Sequence, residues 1–215
     1  MGDVRAFREE YRKGIPSWYL GWAHFAFTSL GSLAAVVFAA SRVHGATPRE
    51  LATIPLTFLF ANVTEYFGHK GPMHHSTPGL RLIYRRHTLE HHHFFTEEAM
   101  ACDSARDFRI MLFPPILLIF FLGGIAGPIG AGLFLLFSAN VGWLFVATAV
   151  AYFLTYEWLH FCYHLSPESL VGRLSLVRVL RRHHATHHEL AKMQRWNFNI
   201  TFPICDALFG TTWRN

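Results

Sequence analysis

Thirteen of the chain's fifteen histidines fall into four short clusters. They read HKGPMHH (His69, His74, His75), HTLEHHH (His87, His91, His92, His93), HFCYH (His160, His164) and HHATHH (His183, His184, His187, His188). Neutral imidazole is the commonest side-chain ligand for transition metals. The chemistry these clusters offer is therefore metal binding.

Spacing states what each cluster can do. On an α-helix, His160 and His164 stand at i and i+4 on one face, where they grip one metal or flank two. His184, His187 and His188 stand at i, i+3 and i+4, again on one face. His87 and His91 pair at i,i+4, with His92 turned by about 100° at 3.6 residues per turn. His69 and His74 are five apart, which splays them on an α-helix. Gly71 and Pro72 between them predict a helix break that lets both rings converge. One structural zinc takes four ligands and a catalytic zinc three, so ten to thirteen imidazoles suit two metals. Neutral ligands leave a high positive charge, and carboxylates are expected to orient the rings. Glu65, Glu90, Glu157, Glu189 and Asp206 are the candidates by proximity.

The elements that position these residues read as membrane helices. The chain is 52% hydrophobic and 15% charged, with 21 phenylalanines, a balance suited to lipid as part of the solvent. The expected fold is an all-α integral membrane protein with four transmembrane helices at about 17–41, 51–68, 110–136 and 141–161. Residues 1–16 form a polar tail, and 17–215 a single domain. The His-rich segments 69–108 and 162–215 are polar. Trp18, Tyr19 and Trp22 mark a membrane interface. His24, inside the first span, faces other helices, and His44 is solvated. The last two spans form a hairpin that turns at Ser138-Ala139-Asn140, with a kink at Gly123-Gly124; a turn at Gly127-Pro128 is the alternative.

Lys and Arg number 4 before the first span, 2 in loop 42–50, 6 in 69–109, none in the hairpin turn and 7 after the fourth span. The positive-inside rule then places both termini and all four clusters on the cytoplasmic side. A net charge of +5 without any nucleic-acid motif argues against a nucleic-acid partner. Cys102, Cys162 and Cys205 are widely spaced and lack a CxxC pair, which argues against a thiolate zinc site and a disulfide framework.

The order His-x4-His, His-x3-His-His, His-x3-His, His-x2-His-His resembles the fatty acid hydroxylase and sterol desaturase superfamily. The C-terminal run MQRWNFNITFPICDALFGTTW adds to the likeness through Asn197, Asn199, Asp206, Phe209, Gly210 and Thr211. The resemblance spans roughly 55–213. It implies a four-helix membrane part with a cytoplasmic helical cap, and a di-iron centre that uses O2 to oxidise a lipid. The ligands it implies are His69, His74, His87, His91, His92, His160, His164, His184, His187 and His188. His75, His93 and His183 are further candidates, and His183 can replace or assist His184. Three residues separate His87 from His91, against two in fatty acid 2-hydroxylases. The chain has no fused cytochrome b5-type domain, so a cytochrome b5-type or ferredoxin-type donor is the expected electron source. Zinc can replace iron in such a site. The substrate expected is an acyl, sterol-like or other isoprenoid lipid. Phe94, Phe95, Trp196 and Phe198 are candidates to line its groove. The outcome is hydroxylation or, on the same scaffold, desaturation. A zinc hydrolase lacks its HExxH motif here. A metal transporter or sensor calls for ionisable groups spread through the spans.

Overall fold

The computed structural model describes residues 4–214; the first three residues of the tail and Asn215 lie outside the described residues. The longer elements are helices α1 (Val4–Lys13), α2 (Gly21–Ser41), α3 (Thr53–Gly68), α4 (Pro115–Leu136), α5 (Ala139–Tyr163), α6 (Ser175–His187) and α7 (Ile204–Leu208). Three of them, α2, α4 and α5, are long and apolar enough to cross a membrane. The expected span at 51–68 is α3, 16 residues long, preceded by a single turn at Pro48–Leu51. The chain forms two compact units. One holds Ala23–Ala61 and Phe113–Glu157, the other Met1–Trp22, Asn62–Leu112 and Trp158–Asn215.

The first unit is apolar outside and partly polar within. Leu30, Val37, Leu56, Ile116, Leu135, Leu136 and Phe137 are exposed, while Thr28, Ser32 and Thr57 are buried. A soluble domain does not display so much contiguous apolar surface. The helix expected from residue 110 starts at Pro115, because Pro114 and Pro115 cannot donate helical hydrogen bonds. The stranded Phe113 peptide is satisfied by side chains instead. Its N–H donates to Glu157 at 3.2 Å, and its carbonyl accepts from His24 Nε2 at 2.9 Å. The glycines expected to kink α4 lie in a π-helical stretch, Phe121–Ala126, so the helix widens there. The turn to α5 falls at Phe137 and Ser138. Glu50 accepts from Ser138 Oγ at 2.5 Å and from Asn140 at 3.3 Å. Asn140 and His44 bond reciprocally. Hairpin turn and 42–50 loop are thereby tied.

In the second unit the segment expected as a surface tail is helix α1, fastened by two arginines. Buried Arg8 donates to the carbonyls of Phe94 (2.8 Å) and Ala99 (2.5 Å) and to Asp103 (3.2 Å). Arg12 grips fully buried Asp107 through two bonds of 2.8 Å. Sequence shows four basic residues here but not their carboxylates ninety positions away.

The α4–α5 hairpin crosses at glycines. A Cβ on Gly142 would lie 2.6 Å from the Gly130 carbonyl oxygen and 2.8 Å from Phe134 Cβ. Backbone cannot yield cheaply, so Gly142→Val is expected to destabilise by about 1–3 kcal/mol, the range for overpacking. A thermal denaturation series in detergent checks this, with Gly132→Val, which meets open space, as the comparison.

Candidate metal centre

Two wide helical turns set the register of the first two clusters. His69–Met73 and Arg85–His91 are π-helices. In a π-helix the backbone bond joins i to i+5, so residues five apart stack on one face. This brings His69 over His74 and His87 over His92. The expected break at Gly71-Pro72 is therefore a widened turn, with Pro72 inside it. The expected His87/His91 pairing is also corrected: His87 sides with His92, and His91 faces elsewhere. The two later clusters keep α-helical spacing, His160/His164 on α5 and His184/His188 at the end of α6.

The result is two groups of imidazoles. His69, His74, His87, His92 and His187 form the first; His91, His164, His184 and His188 form the second. Within each group one nitrogen per ring lies within 4.8 Å of all the others. The α6 cluster is divided between them, since His187 turns to the first group and His184 with His188 to the second. His160 Nε2 lies 3.2 Å from His91 Nε2 and 3.3 Å from His164 Nε2, at the edge of the second group. His75 and His93 are exposed. His93 bonds the Thr88 carbonyl. His183 faces Asp206 at 3.3 Å rather than either group.

Backbone carbonyls fix the rings. His69 Nδ1–H donates to Phe198 O (2.5 Å), His187 to Trp196 O (2.8 Å), His91 to Ile110 O (3.1 Å), His164 to Met100 O (2.9 Å) and His188 to Phe95 O (2.6 Å). A carbonyl only accepts, so each of these rings carries its proton on Nδ1 and its lone pair on Nε2. Their Nε2 atoms face other ring nitrogens: His187 Nε2 lies 2.9 Å from His74 Nε2, His69 Nε2 2.9 Å from His87 Nε2 and His188 Nε2 3.0 Å from His184 Nε2. Thr88 Oγ1 donates to Met73 O and so accepts from His74 Nδ1, which leaves His74 and His187 with facing lone pairs that cannot hydrogen-bond. A cation between them resolves the contact, and a metal–nitrogen bond of about 2.1 Å places adjacent ligands about 3.0–3.4 Å apart. The donor set and its spacing therefore fit metal ions at both groups.

Burial holds the rings neutral. It lowers His69 to about 4, His74 to about 2 and His188 to about 3, and places His91, His92, His164, His184 and His187 well below the ordinary imidazole value. Neighbouring imidazoles add to the effect for most of them. Protons thus compete poorly with a metal for these nitrogens at neutral pH.

The carboxylates bond to arginine, lysine and the backbone. Glu90 pairs with Arg85, Glu157 holds Phe113 N–H and Glu189 pairs with Lys192. Glu65 accepts from Ile200 N, Thr201 N and Thr201 Oγ1. Asp206, with no exposure, accepts from Phe198 N (2.9 Å), Asn199 N (2.8 Å) and Thr211 Oγ1 (2.7 Å). It acts on the loop that presents the Trp196 and Phe198 carbonyls. Asn197, between them, adopts φ 59°, a left-handed conformation that Asn tolerates better than most residues. Its side chain ties His183 O and Trp213 N. Sequence reasoning missed Thr88, whose Oγ1 sits 3.3 Å from His74 Nδ1, because its position follows from the π-helical register.

Phe95 packs on His91 and His164, and Phe198 on His69, His74 and His187. Both are fully buried, as is Phe94, so these rings seal the groups rather than line an open groove. Trp196 packs edge-on against Trp213. A cavity of about 480 Å³ does reach His92 and His188, walled by Val4, Phe7, Leu190 and Ala191, with Glu97, Glu98 and Glu189 also on its lining.

A family model described as fatty acid hydroxylase matches residues 54–211. No curated protein and no solved structure matched the chain.

Because Asp206 holds the loop that presents the Trp196 and Phe198 carbonyls, Asp206→Asn should loosen the first group and spare the second. Metal titration of the purified variant is expected to show weaker binding at one of two sites, by about 10- to 100-fold as for other supporting partners. Equal weakening of both sites would count against the assignment.

Proposed function

The chain belongs to the fatty acid hydroxylase family, and from that premise we propose that it is a membrane-bound di-iron oxygenase that hydroxylates a lipid with O2. The observation that carries this reading is the pair of adjoining imidazole groups whose ring nitrogens converge. His69, His74, His87, His92 and His187 would hold one iron. His91, His164, His184 and His188 would hold the other, with His160 as a further ligand. His184 is preferred to His183 because His183 is turned to Asp206.

When bound, the two metals supply the activation of oxygen needed to cleave an unactivated C–H bond. The reaction balances when one oxygen atom enters the C–H bond and the other leaves as water. Two electrons and two protons complete it, the electrons from an external donor of cytochrome b5 or ferredoxin type. Removal of two hydrogens from adjacent carbons would give desaturation with the same donor. The protein's own part is to fix the ring tautomers through backbone carbonyls and to exclude water with Phe95 and Phe198. The cavity against His92 and His188 suits an acyl or isoprenoid chain.

Four spans and a cytoplasmic site belong to the same proposal. The turn at Pro48–Leu51 and α3 are separated only by helical Ala52. Together they reach about 31 Å at 1.5 Å per residue, enough for a hydrocarbon core of about 30 Å. The concentration of Lys and Arg outside the hairpin turn supports cytoplasmic termini.

Iron analysis with labelled oxygen tests the reading. Protein purified without chelator is expected to bind two irons per chain, and His187→Ala and His184→Ala are each expected to lose one. Cells that make the active protein should incorporate ¹⁸O from ¹⁸O2 into a lipid. Normal turnover in the absence of oxygen would exclude an oxygenase.

A further inference from the structure

Arg181 lies three residues before His184, on α6. Its Nη1 is buried and has no hydrogen-bond partner. Arg8, by contrast, spends its buried guanidinium on two carbonyls and Asp103. A buried N–H without an acceptor is costly, and the half-buried Arg181 side chain is open to an acceptor from outside the chain. It lines a cavity of about 460 Å³ together with Arg182, Pro167 and Ala185. Glu97, Glu98 and Asp103 line the same cavity beside Arg8; Asp103 pairs with Arg8 and Arg12, and none of the three carboxylates forms an ion pair with Arg181 among the described residues.

The neighbouring chain has the pattern of a membrane interface. Helix α5 has 25 residues, about 37 Å against a hydrocarbon core of about 30 Å. The excess of about 7 Å reaches the head-group layer, and Pro167 follows its last residue by four positions. Beyond it Leu170 is 86% exposed, and Leu174, Leu176 and Val179 are also exposed. Arg173, Arg178 and Arg182 alternate with them and are exposed too. Apolar side chains interleaved with arginine suit burial at the boundary between head groups and acyl chains.

We propose that residues 166–182 lie in the head-group layer and that Arg181, with Arg182, binds the phosphate of a membrane phospholipid in this cavity. The guanidinium fork matches two phosphate oxygens, as a lysine would not. The carboxylates of Glu97 and Glu98 suit a head group with an ammonium beside its phosphate. Phosphatidylethanolamine is therefore the probe. The inference rests on the membrane embedding of the chain and not on its oxidation chemistry.

Native mass spectrometry of the full chain in detergent reads this directly. The protein is expected to retain phosphatidylethanolamine but not diacylglycerol, which has no phosphate. Arg181→Gln should lower retention about tenfold, the loss of one charge-assisted contact, with metal content unchanged. Arg182→Gln should lower it less, and because Arg182 is exposed its replacement tests the site even where Arg181→Gln fails to fold. Equal retention of the two lipids by the unmodified chain would overturn the proposal, as would unchanged retention in both variants. Displacement of the lipid by excess inorganic phosphate would also overturn it, by making the cavity a site for free anions.

Discussion

The hydrogen bond from an imidazole Nδ1–H to a backbone carbonyl is the interaction on which the rest of this structure depends. It is made by His69, His91, His164, His187 and His188, to carbonyls as distant in sequence as Phe198 and Phe95. Each such bond decides a tautomer, and the tautomer decides which nitrogen can face a cation. Four of the five carbonyls lie outside regular helices, at Phe95, Met100, Trp196 and Phe198, and the fifth, Ile110, belongs to the short helical turn Phe108–Met111. Irregular backbone in a mostly helical protein is therefore part of the site. Asp206 and Glu65 do their work there, by holding loop amides and leaving loop carbonyls to the rings.

Helical register divides the histidines between two sites. An α-helical reading of HTLEHHH couples His87 to His91, whereas the π-helix couples His87 to His92 and frees His91 for the opposite group. The same widening joins His69 to His74 through Pro72, where an α-helix would lose a bond at proline. Such turns are less favourable than α-helix, and they occur in this chain at the ligands and at the Gly123-Gly124 stretch. Their position beside the ligands fits the tendency of π-turns to mark functional sites.

Burial completes the electrostatic logic. Eight of the nine grouped histidines are classed as buried, and desolvation disfavours the imidazolium. A protonated ring would lose its lone pair and repel its neighbours. A neutral ring keeps one lone pair at neutral pH, the form that binds a cation. The apolar exterior of the other unit has the complementary explanation: Leu135, Leu136 and Phe137 are exposed where lipid, not water, is the expected solvent.

What the sequence determined by itself was the chemistry and the class of fold. Histidine count and clustering pointed to metal, long uncharged stretches to membrane helices, and the ordered motifs with their C-terminal run to the family. These are properties of residue type and local spacing, and they survive without knowledge of partners. The tertiary structure decided which histidine faces which group, and that Asp206 supports a loop and the His183 ring outside both groups. It also showed that α1 is a helix latched by Arg8 and Arg12. The physical reason is common to all three. A tautomer and a buried ion pair are each set by a partner far away in the chain, and a π-turn departs from the 3.6-residue period, so local periodicity carries no information about any of them.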